Sequence, residues 1–448
     1  MDEVDERRAG GDALEEPSRA ASSPPRGFYP AAVALPCALW ALHHSLGHGG
    51  DIGFFHEWYL AFREGPGFYR DGPGLNYPIV GVLLTCGPAA LVEGVLGRPL
   101  DAATYRVVLK ATLVAGEILL IVGAERLARA LGAARPARLA LGIYALPVVW
   151  AGGAFFGQTD PWGTALLLLS AAGLAAYHRG GDPRALALGL LAGHAAILQK
   201  QLTWFAVPGL AALALVALRR RGRRLHWALA LASPLLLVAP DPFLALPEGH
   251  ASHLWFVLAG GGSSHGELAV ASGASAWALF VPGGTPASSL RFAGLDAFAW
   301  GWIAWAAAMA LATAWVRRRR FAPVALVALA GLGQLAMATL LTGVHERYLA
   351  HAVPLLLTAD AAMRAGRPTD EGVLGSLRTP AGRPALGVAV GVLAGGFVLA
   401  TLEPAYVGPL RVLARPEPTA LLALAWLGAF LAAPASIRAT AGEPVGTR

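Results

Sequence analysis

Cysteine is scarce: two in 448 residues, too few to staple a small secreted scaffold. Cys37 and Cys86 both fall in apolar runs, where a thiol behaves as a small hydrophobe, so no disulfide is expected. Charge is scarce as well. Charged residues make up 14% of the chain, against about a quarter in an ordinary soluble domain, which excludes a cytosolic enzyme. Lysine is nearly missing, and the two present, Lys110 and Lys200, each call for a reason. What fills the chain instead is apolar: 56% hydrophobic residues and a mean hydropathy of +0.54. At ~20 residues per crossing, that supply covers about twelve passages of a bilayer. The net charge of +7 and the pI near 9.8 suggest nucleic acid at first sight. The arginines, however, sit in short clusters between apolar runs, which is how membrane proteins mark their cytoplasmic side, and no nucleic-acid partner is expected.

Residues 1–27 carry seven acids and four arginines with no apolar stretch, so they read as a disordered cytoplasmic tail and not as a signal peptide. Apolar runs follow near 28–46, 77–96, 105–124, 138–151, 161–177, 184–199, 203–218, 225–240, 297–316, 321–342, 346–363, 384–402 and 419–434. Arginine clusters at 126–138, 179–184, 219–224, 317–320 and 364–383 fall on one side if alternate runs cross. The N-terminal tail joins that side only if one early run does not cross. The run 77–96 is the choice, because it holds Gly81 and a Gly87-Pro88 break, and non-helical backbone is tolerated where protein covers it. The expectation is an all-α polytopic membrane protein of about twelve transmembrane helices plus one re-entrant or juxtamembrane outer helix. Both termini are cytoplasmic in this scheme, and 25 of the 35 Lys and Arg residues lie inside. The chain divides into the tail 1–27, a transmembrane catalytic region 28–363 with outer loops 47–104 and 241–296, and C-terminal helices and tail over 364–448.

The unusual polar residues collect at the outer corners of this map. The first loop reads HGGDIGFFHEWYLAFREGPGFYRDGPGLNYP and contains Asp51, His56, Glu57, Trp58, Asn76 and Tyr77. The next corner, FFGQTDPWG, carries Gln158 and Asp160; the hinge ILQKQLTWF carries Lys200 between Gln199 and Gln201; LTGVHERYLAH carries His345, Glu346, Arg347 and His351. A single polar corner beside aromatic residues is ordinary interfacial anchoring. Four on one face point to a shared site. Arg347 and His351 are one helical turn apart and can face one ligand. Lys200, with little polar sequence around it, wants an anion, and a lipid phosphate is the obvious one. Asp51 is the candidate general base for a hydroxyl. Asp160 before Pro161 has the look of a helix cap. Glu117, inside the run 105–124, should face the bundle interior, with His194 or Lys200 as partner. No Cys/His ligand set, phosphate loop or dinucleotide fingerprint occurs, and the histidines 43, 44 and 48 do not make a convincing metal cluster.

Asp51 followed by His56-Glu57-Trp58, then Leu75-Asn76-Tyr77-Pro78 leading into an apolar run, resembles the opening of GT-C fold glycosyltransferases. The nearest patterns are the lipid-phosphate-glucose-dependent glucosyltransferases of N-glycan assembly and the bacterial mannosyltransferases related to the GPI-anchor enzymes. Lys200-Gln201, Gly157-Gln158-Thr159-Asp160 and Gly343-Val344-His345-Glu346-Arg347-Tyr348 are similar to motifs of that group, and the four patches span roughly residues 28–363. The resemblance implies an inverting hexosyltransferase, of mannose or glucose class, in a bacterial plasma membrane. It implies a polyprenyl-phosphate-linked sugar as donor and an acceptor hydroxyl on a lipid-linked glycan, glycolipid or protein, with no cofactor and no metal. Asp51 would deprotonate the acceptor, and Lys200, His345 and Arg347 would hold the donor phosphate. The remaining polar corner residues, from His56 to His351, would line the substrates. The long outer segment 241–296 matches no motif of the group and would shape the acceptor site. Twelve crossings also suit a transporter or lipid flippase, but such proteins favour repeats and midplane polar groups on broken helices. A scaffold protein would have no use for Lys200 or Asp51.

Overall fold

The computed structural model describes residues 23–44, 49–72, 74–258, 267–270, 275–365, 382–402 and 416–431. The expectations for residues 1–22 and 432–448, and for the stretches between these blocks, lie outside the described residues. The described residues are mostly helical; they also form a hairpin of two-residue strands, where Arg291 pairs with Asp296 and Phe292 with Leu295, and an isolated bridge between Leu268 and Pro286. The hairpin turn is Ala293-Gly294, both at positive φ, as a tight hairpin requires.

The first half runs α1 (Phe28–His43), α2 (Gly49–Arg63), a single turn α3 (Phe68–Asp71), α4 (Ile79–Leu96), the long α5 (Ala102–Ala130), α6 (Pro136–Tyr144) and α7 (Pro147–Trp150). Then come a π turn (Ala151–Phe155), α8 (Asp160–Gly180), α9 (Pro183–Gln199), a 3₁₀ turn (Gln201–Ala206), α10 (Val207–Arg221), α11 (Arg224–Ala232) and the short α12 (Leu235–Val238). Further along follow α13 (Ala297–Arg318), α14 (Pro323–Leu340), a 3₁₀ turn (Glu346–Tyr348), α15 (Leu349–Ala365), α16 (Gly382–Leu402) and α17 (Pro416–Leu431). Among the described residues, five of these helical stretches are long and apolar enough to cross a membrane, or six if the bent pair α6 and α7 with its π turn counts as one span. The expectation of twelve crossings is therefore met by length and composition only in part; α1, most of α16 and α17 are shorter apolar helices.

Three expected runs differ in shape. Run 77–96 was assigned a break at Gly87-Pro88, yet α4 passes through Pro88 as one helix of 18 residues that meets the criteria for a span. In apolar surroundings a helix is the way to satisfy the backbone groups that Pro88 leaves intact. Run 138–151 bends by 68° between Tyr144 and Pro147, where the proline ring and its missing N–H stop the helix. Run 225–240 likewise splits at Ser233-Pro234 into α11 and α12. The hinge at Lys200, between α9 and α10, falls where the sequence puts it.

α5, α8 and α9 lie side by side, and α14 packs on α10, α13 and α15. α14 is buried along most of its length and forms the spine of the main core, together with α15 and the inner faces of α8 and α10. Small residues permit these close approaches: a Cβ at Gly173 of α8 would stand 2.8 Å from the Gly189 backbone of α9. At the arginine-rich ends, the guanidiniums satisfy helix carbonyls. Arg179 donates to the Arg129 carbonyl (3.3 Å) and Arg221 to that of Arg179 (2.7 Å), so these clusters close helix C-termini. Asp360 on α15 ties α16 to the bundle through Arg383 (3.1 Å) and is joined by Arg364 (3.2 Å).

A candidate phosphate and acceptor corner

The corner after the π turn is built by a backbone that leaves helix geometry at Gly153 (φ −95°, ψ −121°). It then reverses at Gly157, whose φ of +98° is open to glycine and strained for other residues. The space there is also closed, since a Cβ at Gly157 would stand 2.8 Å from Ile52 Cγ1. Ile52 follows Asp51 directly in α2, so the half-buried Asp51 is anchored one residue from this corner.

α8 starts at Asp160, and the sequence expectation that Asp160 caps the helix is corrected. Thr159 is the N-cap residue, neither makes a side-chain cap, and the Asp160 carboxylate turns inward. Its Oδ1 accepts from Lys200 Nζ at 2.9 Å and from His351 Nε2 at 3.0 Å. All three side chains are at most 4% exposed. His351 in turn meets Thr164 Oγ1 through Nδ1 at 2.9 Å, which fixes its ring. Asp160 Oδ2 is buried and has no hydrogen-bond partner among the described residues. The anion that Lys200 wants is thus supplied by the protein itself, through Asp160, and not by the lipid phosphate expected from the sequence. Burial by itself would raise the Asp160 carboxyl, but Lys200, followed by His351 and Arg347, holds it far below the usual carboxylate range. Burial would likewise depress the Lys200 ammonium, and Asp160 outweighs it, keeping the lysine charged.

Aromatic rings wall this ion pair. The Lys200 ammonium lies 5.3 Å from the Tyr77 ring centre and 5.4 Å from that of Tyr348. Tyr77 is set by its hydroxyl, which donates to Gln158 Oε1 at 3.1 Å, by edge contact with Trp58 (5.1 Å), and by Tyr69, whose hydroxyl donates to the Tyr77 carbonyl at 2.8 Å. Arg347 lies over Phe156 at 5.3 Å and Tyr348 at 5.6 Å, and its Cβ is what a Cβ at Gly152 would meet at 3.1 Å. His345 packs edge-on against Tyr348 at 5.3 Å. Lys200 and Arg347 bring two cations to the neighbourhood of Asp160, and a guanidinium can take two phosphate oxygens at once.

The structure therefore gathers Trp58, Tyr77, Gln158, Asp160, Lys200, His345, Arg347 and His351 into one neighbourhood, with Asp51 beside it through Ile52. It does not gather all the candidates. His56 turns to the Leu100 carbonyl (3.1 Å) and packs at a tilt against Tyr105 (5.1 Å), and Glu57 is exposed on α2. Asn76 and Gln201 are half-buried next to Tyr77 and Lys200 in the chain, and the side chain of Glu346 lies outside the described residues. Glu117 has neither of its expected partners: it accepts from Tyr144 (2.6 Å) and from the Ala154 amide (2.9 Å), while His194 bonds the Leu190 carbonyl of its own helix. Sequence reasoning missed Phe156, Tyr348, Thr164 and Gln199, whose amide donates to the Thr159 carbonyl at 3.2 Å. Phe156 and Tyr348 stand inside the quoted FFGQTDP and HERY stretches, where the aromatic residues within each polar corner are the available signal.

Gly81 provides a direct check on this packing. A Cβ there would stand 2.2 Å from the Gln199 carbonyl, backbone against which nothing flexible can yield. Gly81→Ala is expected to push α4 from the Lys200 hinge and cost ~1–3 kcal/mol, read as a lowered Tm of the purified protein. A Tm equal to that of the unsubstituted protein would contradict the close approach.

No protein-family profile and no curated protein sequence matches the chain. Among solved structures, the crystal structure of ArnT from Cupriavidus metallidurans bound to undecaprenyl phosphate is similar over 90% of this chain and 77% of that one, with 15% sequence identity and a TM-score of 0.44.

Proposed function

We propose that the chain is a GT-C type membrane glycosyltransferase that moves a hexose from a polyprenyl-phosphate sugar to an acceptor hydroxyl at the outer face of a bacterial cell membrane. The observation that carries the reading is the Asp160 corner. The cations of Lys200 and Arg347, walled by Tyr77, Phe156 and Tyr348, lie next to the backbone that anchors Asp51. Breaking the bond between sugar and phosphate builds negative charge on the leaving oxygens, and fixed cations among apolar walls stabilise that charge strongly. Arg347 faces the phosphate directly, Lys200 holds Asp160 and adds positive potential, and His345 completes the donor side. Asp51 removes the acceptor proton as the new bond forms. The twelve-crossing scheme with cytoplasmic termini belongs to the same proposal, because it puts this corner where a polyprenyl carrier arrives laterally from the outer leaflet.

A transporter would need Glu117, the buried acid of α5, open to a pathway; both its oxygens are instead engaged by Tyr144 and Ala154. The test is to incubate the purified full chain in lipid nanodiscs with a panel of polyprenyl-phosphate sugars and acceptor extracts, and to follow sugar transfer. Asp51→Asn is expected to lower transfer by ~10²-fold or more. Full activity in that variant would remove Asp51 from the chemistry, and no consumption of any lipid-linked sugar by the unsubstituted chain would sink the reading.

A further inference from the structure

Beneath the corner, α5 carries two buried charged side chains, Lys110 and Glu117, that make no contact with Asp160 or Lys200 in the hydrogen bonds described above and are at most 1% exposed. Charge in such a place persists only for a reason. Each is engaged with consecutive backbone groups of the same broken turn. Glu117 Oε1 accepts from the Ala154 amide at 2.9 Å and its Oε2 from the Tyr144 hydroxyl at 2.6 Å, so one carboxylate bridges α6 and the π turn across the 68° bend. Two turns along α5, Lys110 Nζ donates to the Phe155 carbonyl at 3.1 Å and to the His43 carbonyl at 2.7 Å, joining the same turn to the end of α1. Ala154 and Phe155 lie where the backbone departs from helix geometry at Gly153, and groups released from helical pairing in a buried site need other partners. The turn also fits closely around the carboxylate: a Cβ at Gly153 would stand 2.8 Å from Glu117 Oε1 and 2.4 Å from Pro161 Cγ.

We infer that Glu117 and Lys110 are positioning residues: they hold the break at Gly153 and thereby set residues 156–160 in register with Arg347 and Lys200. Phe156, which stacks on Arg347, follows Phe155 directly, and Asp160 lies six residues beyond Ala154 through a turn that Gly157 makes against Ile52. A shift of the break therefore moves both the ring under Arg347 and the carboxylate on Lys200. The consequence for turnover rests on the transferase reading; the structural half does not.

Hydrogen exchange and transfer kinetics on the full chain in nanodiscs test this with three variants. In E117A the amides of 151–160 are expected to exchange about tenfold faster while α14 stays protected, and kcat is expected to fall on the order of tenfold to hundredfold with donor KM changed less. In E117Q the amide carbonyl still accepts from Ala154 and its NH₂ donates to the Tyr144 oxygen, so protection and kcat return. K110M is expected to follow E117A. Uniformly faster exchange in E117A would show a general structural role and overturn the inference, as would unchanged exchange at 151–160. An E117Q variant that is protected yet as inactive as E117A would overturn it too, by assigning the charge itself to the chemistry. Absence of transfer by the unsubstituted chain sinks the transferase reading alone, and the exchange pattern still decides whether α5 sets the corner.

Discussion

Asp160→Ala is expected to lower the stability of the folded protein by ~3–5 kcal/mol, because it strands a buried cation. Lys200 Nζ has Asp160 Oδ1 as its ion-pair partner at 2.9 Å, and the two side chains are 4% and 0% exposed. His351, also fully buried, loses the acceptor of its Nε2–H in the same substitution. The Tyr77 and Tyr348 rings offer Lys200 some compensation, since cation–π contact is worth about 2 kcal/mol when desolvated, but they do not replace a carboxylate. The measurement is thermal unfolding of purified protein without substrate. A Tm within a degree of that of the unsubstituted chain would mean the pair is not formed. The double substitution Asp160→Ala with Lys200→Met separates charge from packing. It removes both partners and is expected to regain most of the lost stability, as replacement of buried ion pairs by apolar groups commonly does. Transfer is expected to stay lost, because the double variant gives up Lys200's share of the positive potential.

Asp160, Lys200, Arg347 and His351 could be grouped from the sequence, because each is a polar residue at the end of an apolar run. The sequence did not show how they pair. Asp160 and Lys200 are 40 positions apart, and their contact depends on α8 and α9 lying in antiparallel contact with Gly173 against Gly189. That register is a packing property which no local pattern in either run discloses. The same holds for Glu117: its position in an apolar run announces a partner, but its partners are the Tyr144 hydroxyl on another helix and a backbone amide freed by a break, and neither pairing is marked in the local sequence. Prolines were read unevenly for a physical reason. Pro147 and Pro234 end helices because the chain can turn there, whereas Pro88 sits in a helix whose surroundings leave the rest of its backbone no alternative. His56 was selected for its place in a motif, and the structure gives it to the Leu100 carbonyl at the start of α5.

Arg347→Ala is expected to lower kcat/KM for the lipid-linked donor by ~10²–10³, the range found when one fixed donor to a developing oxyanion is removed. The stacking geometry gives the reason for so large an effect from one side chain. With Phe156 at 5.3 Å and Tyr348 at 5.6 Å from its central carbon, the guanidinium rests against two rings, which limits its freedom before substrate arrives. A planar fork held in this way can bind two phosphate oxygens at once, with little side-chain freedom left to lose. Arg347→Lys restores the charge but neither the fork nor the stacking, so it is expected to recover only a small part of the loss. Acceptor KM should move by less than about twofold if Arg347 acts on the donor alone, which sets it apart from Asp51, whose substitution acts on the proton-transfer step. Steady-state transfer measured at varied donor with saturating acceptor, and then the reverse, separates the two. An Arg347→Ala enzyme with unchanged donor dependence would place the leaving phosphate elsewhere, and Lys200, already committed to Asp160, would be a poor substitute for it.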